Sequence, residues 1–225
     1  MKHSKRYNNN YKTIDRNKEY SLEDATKLLT TINTANFDES IELSVNLGVD
    51  PKHADQIVRG TVSLPHGTGK EVKVLVFAKD HFAEEAVKAG ADFVGSDEFI
   101  DKVRGGWTDI DIIIATPDMM ADVGKLGKIL GPRGLMPNPK TGTVTNDVKS
   151  TIENINKGLV AYKNDKAGTI HAALGKVSFD ESKLTENVIS FIDEIKKIKP
   201  SGLKGNFVNS VYLSSSMGFG LRVEI

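Results

Sequence analysis

The chain contains no cysteine among its 225 residues. That excludes disulfides and thiolate metal sites, and it fits a reducing compartment. No run of about 18 apolar residues occurs, so no membrane-spanning helix is expected. The first residues, MKHSKRYNNNYK, lack the apolar stretch of a secretory signal. Aromatic residues are scarce at 7%, with one tryptophan, so any stacking surface must rest on few side chains. Net charge is missing as well, because 30 bases cancel 30 acids. Spread evenly, that balance would argue against a polyanionic partner.

The charge is not spread evenly. Residues 1–20 carry six bases and two acids, and residues 121–177 carry nine and four. Residues 21–65 carry three and seven, 66–120 six and eleven, and 178–225 six of each. The basic excess peaks in GKLGKILGPRGLMPNPKTGTV (124–144), which holds five glycines, three of the seven prolines, four basic side chains and no acid. Proline fixes φ and glycine relaxes it, so the segment reads as a long shaped loop, neither a plain helix nor a plain strand. Two readings of its Lys125, Lys128, Arg133 and Lys140 stay open: a soluble capping turn, or contact with a phosphate backbone.

The rest of the chain changes rhythm twice. Residues 1–20 read as a basic, flexible arm. Ser21 and Asp24 resemble a capping box for a helix with Leu22, Ala25, Leu28 and Leu29 inward. Ile41, Leu43, Val45, Leu47 and Val49 alternate as in a strand with one buried face. Thr61–Leu64 is a further short strand, ending at the hinge-like PHGTGK.

From VKVLVFA (72–78) to IDIIIAT (110–116), three short apolar strands alternate with helices, which predicts a parallel sheet. Asp80, Ser96, Thr116 and Thr145 are the predicted helix caps. After residue 158 the sequence predicts a hairpin around Asn164–Gly168, then an amphipathic helix over 181–198 stopped by Pro200 and Gly202, then a strand pair turning at Met217–Gly220. The expected fold is therefore α+β and α/β in two domains. A split α+β domain (21–66 plus 159–225) is built from both chain ends, around an inserted three-layer, Rossmann-like α/β domain (67–158).

Catalytic chemistry finds little support. Gly69-Lys70, Gly127-Lys128 and Gly175-Lys176 are followed by Glu, Ile and Val, and none has the upstream glycine of a phosphate-binding loop. The five histidines show no metal-ligand spacing. No catalytic residue, metal site or cofactor is predicted. An α/β enzyme with a ligand at its strand ends, and a scaffold whose basic loop binds acidic protein, are the competing readings. SSSMGFG (214–220) is an ordinary turn or a place where small hydroxyls and glycine admit an RNA backbone, with Met217 as a soft apolar contact. Phe37 could stack a base or be buried.

Four stretches together resemble the bacterial large-subunit ribosomal protein L-one family. They are LSVNLGVDPKHADQIVRGTVSLPHGTGK (43–70), the 124–144 loop, KNDKAGTIHAALGKVSF (163–179) and KGNFVNSVYLSSSMGFGLRV (204–223). The resemblance implies a non-enzymatic protein in the cytoplasm, within the ribosome. It would bind 23S rRNA to form the mobile stalk beside the E site, alongside other ribosomal components, and assist release of deacylated tRNA. It also implies repression through the protein's own operon mRNA, with the free protein a monomer and no membrane involved.

Carried over position by position, the rRNA face of the split domain comprises Phe37, Glu42, Asp165, Lys166, His171, Ser178, Ser216, Met217 and Gly218. In the inserted domain the matching residues are Gly131, Pro132, Arg133, Gly134, Met136 and Lys140. The chain departs from the family pattern at Ser214–Ser216, often threonine, at Phe219, commonly proline, and at Asn36, commonly lysine.

Overall fold

A computed structural model describes residues 5–15, 18–32, 35–200, 203 and 205–224. Its first elements are helices α1 (Lys5–Tyr11) and α2 (Leu22–Ile32) and strands β1 (Ser40–Leu47) and β2 (Arg59–Ser63). There follow β3 (Val74–Phe77), α3 (Asp80–Lys88), β4 (Phe93–Gly95), α4 (Asp97–Arg104) and β5 (Ile112–Ala115). Next come α5 (Met120–Gly124), α6 (Gly127–Leu130) and α7 (Val148–Asn156). The last are β6 (Leu159–Lys163), β7 (Thr169–Lys176), α8 (Glu181–Lys197), β8 (Val208–Ser215) and β9 (Leu221–Val223). The chain divides into two compact units, Met1–Gly69 with Val160–Ile225, and Lys70–Leu159.

In the first unit the alternating residues of β1 sit at the heart of an antiparallel sheet ordered β7-β1-β8-β9. Ile41, Leu43, Val45 and Leu47 are buried, and Leu43 lies opposite both Ala172 and Leu213. Helix α2 starts where its cap was predicted, with the Asp24 N–H donating to Ser21 Oγ at 3.2 Å. Its Ala25 and Leu29 share one core with Leu184, Val188, Phe191, Ile192 and Ile195 of α8. Each large side chain in that core contributes about 1.5–3 kcal/mol on leaving water. Pro200 follows the end of α8, while the stop expected at Gly202 lies outside the described residues.

Two expectations are corrected in this unit. The predicted hairpin around Asn164–Gly168 is not one: β7 pairs with β1, and β6 joins β2 in a separate two-stranded sheet. Among the described residues an isolated bridge, Asn164 to Ile170, spans the turn. The reason is the buried Asn164 side chain, whose Oδ1 accepts the Val58 N–H at 2.9 Å and draws the end of β6 toward β2. The N-terminal arm is likewise not without structure where it is described. Residues 5–11 form α1, and Ile14 and Tyr20 are buried in the core.

The second unit is a parallel sheet ordered β4-β3-β5, with helices on both faces. Leu75, Phe77, Ile113 and Ala115 point toward α4, α5 and α6, and Val74, Val76 and Ile114 toward α3 and α7. All four residues of β3 are buried, as expected for a central parallel strand. The caps differ from prediction in detail. Lys79, not Asp80, precedes α3, and Ser96 and Thr116 hold cap positions without side-chain cap bonds. Asp147 replaces Thr145 as the cap of α7, accepting the Ser150 N–H at 3.2 Å. The 124–144 segment is more structured than a loop. It contains α6, a 3-10 turn at Pro139–Thr141, and a parallel bridge from Val144 to Ala115.

Candidate nucleic-acid interface

In the first unit, one end of the central sheet gathers several of the predicted residues. Asp38, next to Phe37, accepts the backbone N–H of Ser178 at 3.1 Å and its hydroxyl at 2.8 Å. Two residues on, the Ser40 N–H donates to Ser216 Oγ at 3.1 Å, and the Ser216 N–H donates to the Ser40 carbonyl at 3.1 Å. Lys176 Nζ reaches Ser40 Oγ at 3.0 Å. The strand ends of β1, β7 and β8 therefore bring Phe37, Ser178, Ser216, Met217 and Gly218 to one region. Phe37 and Met217, far apart in sequence, are 55% and 63% exposed.

The turn itself is held from below. Glu39 is 1% exposed, and its Oε2 accepts the Met217 N–H at 2.9 Å. The Gly218 N–H closes the turn on the Ser215 carbonyl at 3.1 Å. A Cβ at Gly218 would overlap Ser215 Oγ, so a side chain there needs the buried serine to move. Phe219, where the family commonly has proline, is buried, with its ring centroid 4.7 Å from that of Tyr7. A proline stiffens such a turn through φ. Here the aromatic anchors it in the core instead.

The other end of β1 carries the second group. The Leu47 N–H donates to Gly168, which follows Asp165 and Lys166. Asp165 Oδ1 accepts the N–H groups of Ala167 and Thr169, each at 2.8 Å. The Thr169 N–H, with that of Ala167 and the nearby His171, holds the carboxyl below its usual range against a push upward from burial. One oxygen is thus committed to shaping the turn. Oδ2 faces His171 Nε2 at 3.8 Å, and His171 Nδ1 lies 3.0 Å from Ser44 Oγ. Between the two groups runs the outward face of β1, with Glu42 exposed and opposite Ala173 and Ser214. At a strand rise of about 3.3 Å, the seven steps from Ser40 to Leu47 separate the groups by about 23 Å.

In the second unit Gly131, Pro132, Arg133 and Gly134 form an exposed turn, and Lys140 is exposed beyond it. Gly134 adopts φ 73°, the left-handed conformation that glycine tolerates. Arg133 donates from Nη1 to Thr108 Oγ1. Lys140 follows Asn138, whose Oδ1 accepts the Lys140 N–H at 2.9 Å and shapes the 3-10 turn. Met136 is half-buried against the core rather than standing out from the turn. Lys125 is paired with Asp122 at 2.7 Å. The residues that sequence reasoning missed are Asp38, Glu39, Ser40 and Lys176. Their partners lie more than a hundred residues away, so no local pattern marks them.

Among the described residues no group of three or more His, Cys, Asp or Glu could hold a metal ion, and no helix is long and apolar enough to cross a membrane. The model of the ribosomal protein L1p/L10e family matches residues 28–219. The large ribosomal subunit protein uL1 of Kosmotoga olearia is 53% identical over 223 residues, covering 99% of this chain and 96% of the relative. That of Thermosipho melanesiensis is 53% identical over 224 residues, covering 99% and 97%. That of Corynebacterium glutamicum is 54% identical over 223 residues, covering 99% and 94%. With a match of this extent over the strands and turns just described, the chain belongs to the ribosomal protein L1p/L10e family.

Proposed function

We propose that the protein is a structural component of the large ribosomal subunit, in the cytoplasm, that grips a folded segment of 23S rRNA through its first unit and forms the mobile stalk beside the E site. It is not an enzyme. The observation that carries this reading is the Ser216–Gly218 turn, where an exposed methionine, a serine hydroxyl and a glycine are pinned by Glu39 and Ser40 beside the exposed Phe37. Glycine lets an RNA backbone come close, and the hydroxyls and acids accept hydrogen bonds from 2′-hydroxyls, which lysine cannot do. The exposed Gly131–Gly134 turn, with Arg133 and Lys140, supplies a second, phosphate-directed contact, and the protein assists release of deacylated tRNA. A matching RNA shape in its own operon message binds the same face and is repressed.

The test is affinity for the transcribed stalk segment of 23S rRNA. A folded Met217→Asp, Gly218→Val double variant should lose binding by roughly two orders of magnitude, the combined effect of about two lost contacts of ~1.5 kcal/mol each. Parent-like affinity would end the proposal. Salt separates the two contacts. Each phosphate neutralised on a single strand adds about 0.7 to the slope of log affinity against log salt. Arg133→Ala with Lys140→Ala should therefore make the slope shallower, while an unchanged slope rejects the second contact.

A further inference from the structure

The two groups of expected RNA contacts in the first unit sit at opposite ends of one sheet, and between them the outward residues of β8 and β9 have so far been assigned no role. The outward residues of the four strands fall into a single row across the ladder. His171 on β7 is opposite Ser44 on β1, Ser44 is opposite Tyr212 on β8, and Tyr212 is opposite Arg222 on β9. Along β8 the residues on either side of Tyr212 on that face are Ser210 and Ser214, both half-buried, whereas Tyr212 is 40% exposed. The ring therefore stands between short hydroxyl neighbours on the polar face of the sheet. Beside it Arg222 is held by Glu19, with Nη2 2.8 Å from Oε1. A guanidinium fixed in this way loses less freedom on meeting a phosphate than a free lysine does.

We infer that Tyr212 and Arg222 form a mid-sheet RNA contact, Tyr212 taking the flat face of a base or ribose and Arg222 the adjacent phosphate. The inference rests on the proposal that the first unit binds folded RNA. An RNA segment that reaches both the Met217 turn and the Asp165–Lys166 turn has to cross this face. Where it crosses, among the outward residues of β1, β7, β8 and β9, Tyr212 supplies the phenol ring, whereas the imidazole of His171 lies against Ser44 and Asp165. Aromatic platforms of this kind hold bases with little regard to sequence, which suits recognition by shape.

The experiment uses the full chain and the transcribed stalk segment of 23S rRNA. Tyr212→Ala should weaken binding roughly 5- to 150-fold, the range for removing one stacked base contact, with the melting temperature close to that of the parent. Tyr212→Phe should restore affinity to within about twofold, since the ring is the contact. Arg222→Gln should make the salt slope shallower by about 0.7, one phosphate. Ultraviolet cross-linking of the complex should place an RNA adduct on the peptide containing Tyr212. If Tyr212→Ala binds like the parent and no adduct forms there, while Met217→Asp with Gly218→Val abolishes binding, the mid-sheet contact is wrong and the wider proposal stands. If that double variant also binds like the parent, both fall. If Tyr212→Ala and Tyr212→Phe weaken binding equally, with no adduct, the ring is not the contact and the inference is overturned.

Discussion

Glu39→Ala probes the underside of the site without touching its surface. Glu39 is almost fully buried, and it accepts the N–H of Met217, an exposed residue of the turn. A hydrogen bond to a charged group contributes about 1.5–3 kcal/mol net, and losing the acceptor leaves the turn's N–H without its partner. If the turn must be ordered to bind, the same energy appears in affinity, a loss of roughly 10- to 150-fold at 1.4 kcal/mol per decade. Glu39→Gln keeps an acceptor of nearly the same shape. Because a charge-assisted bond is roughly twice as strong as a neutral one, its loss should be about half as large in kcal/mol. The assay is fluorescence anisotropy against labelled stalk rRNA, paired with a thermal melt of each variant. The expected ranking is parent, then Gln, then Ala, in both affinity and stability. An Ala variant that binds and melts like the parent would refute the idea that the turn is held from within.

Other expectations concern the frame. Asn187, fully buried on α8, accepts the His66 N–H and donates to the carbonyls of Gly67 and Leu174, so Asn187→Leu should cost about 3 kcal/mol, read by urea denaturation. Tyr7→Ala removes the ring packed at a tilt against Phe219 and should lower both the melting temperature and RNA affinity, whereas Val87→Ala, on an exposed helix face, should change neither. Asp165 has a lowered folded pKa, so its contribution to stability is present above the unfolded carboxylate value and is lost as pH falls through the folded one. Asp165→Asn should therefore flatten the acid limb of the stability curve below about pH 4, the ordinary carboxylate range, as followed by circular dichroism.

What the sequence made legible was whatever local periodicity controls. The alternation of β1, the α8 stripe and the strand–helix rhythm of the second unit each come from residues within a few positions of one another, and all appear as expected. The misreadings share a different origin. The turn at Asn164–Gly168 carries every local mark of a hairpin, yet Asn164 bonds to Val58 across 106 residues, and β6 follows β2. Residues 5–11 look like a polar arm, but Tyr7 finds Phe219 at the far end of the chain. Glu39 was invisible for the same reason: an acid in a loop declares nothing until a turn 178 residues later is brought over it. Of the candidate site, the proposed surface residues come from the resemblance to a family. The groups that hold them were not.

The division between surface and support also bears on the proposed function, since it gives a face carrying Glu42 and Asp165 a way to serve a polyanion. Counterion release alone would favour lysines, and here the acids have other work. Asp165 shapes its turn through two N–H groups, and Asp38 and Glu39 hold Ser178 and Met217 in place. Each end of β1 thus has a turn fixed by a carboxylate, and the strand between them acts as a spacer of about 23 Å. Because its ladder bonds to both neighbours, that spacing cannot be stretched without breaking the centre of the sheet. On the proposed RNA-binding role, an RNA whose contact points lie at that distance would meet both turns without reorganising the protein, and one whose points do not would engage one turn only. Selectivity then comes from geometry, at a modest cost in charge.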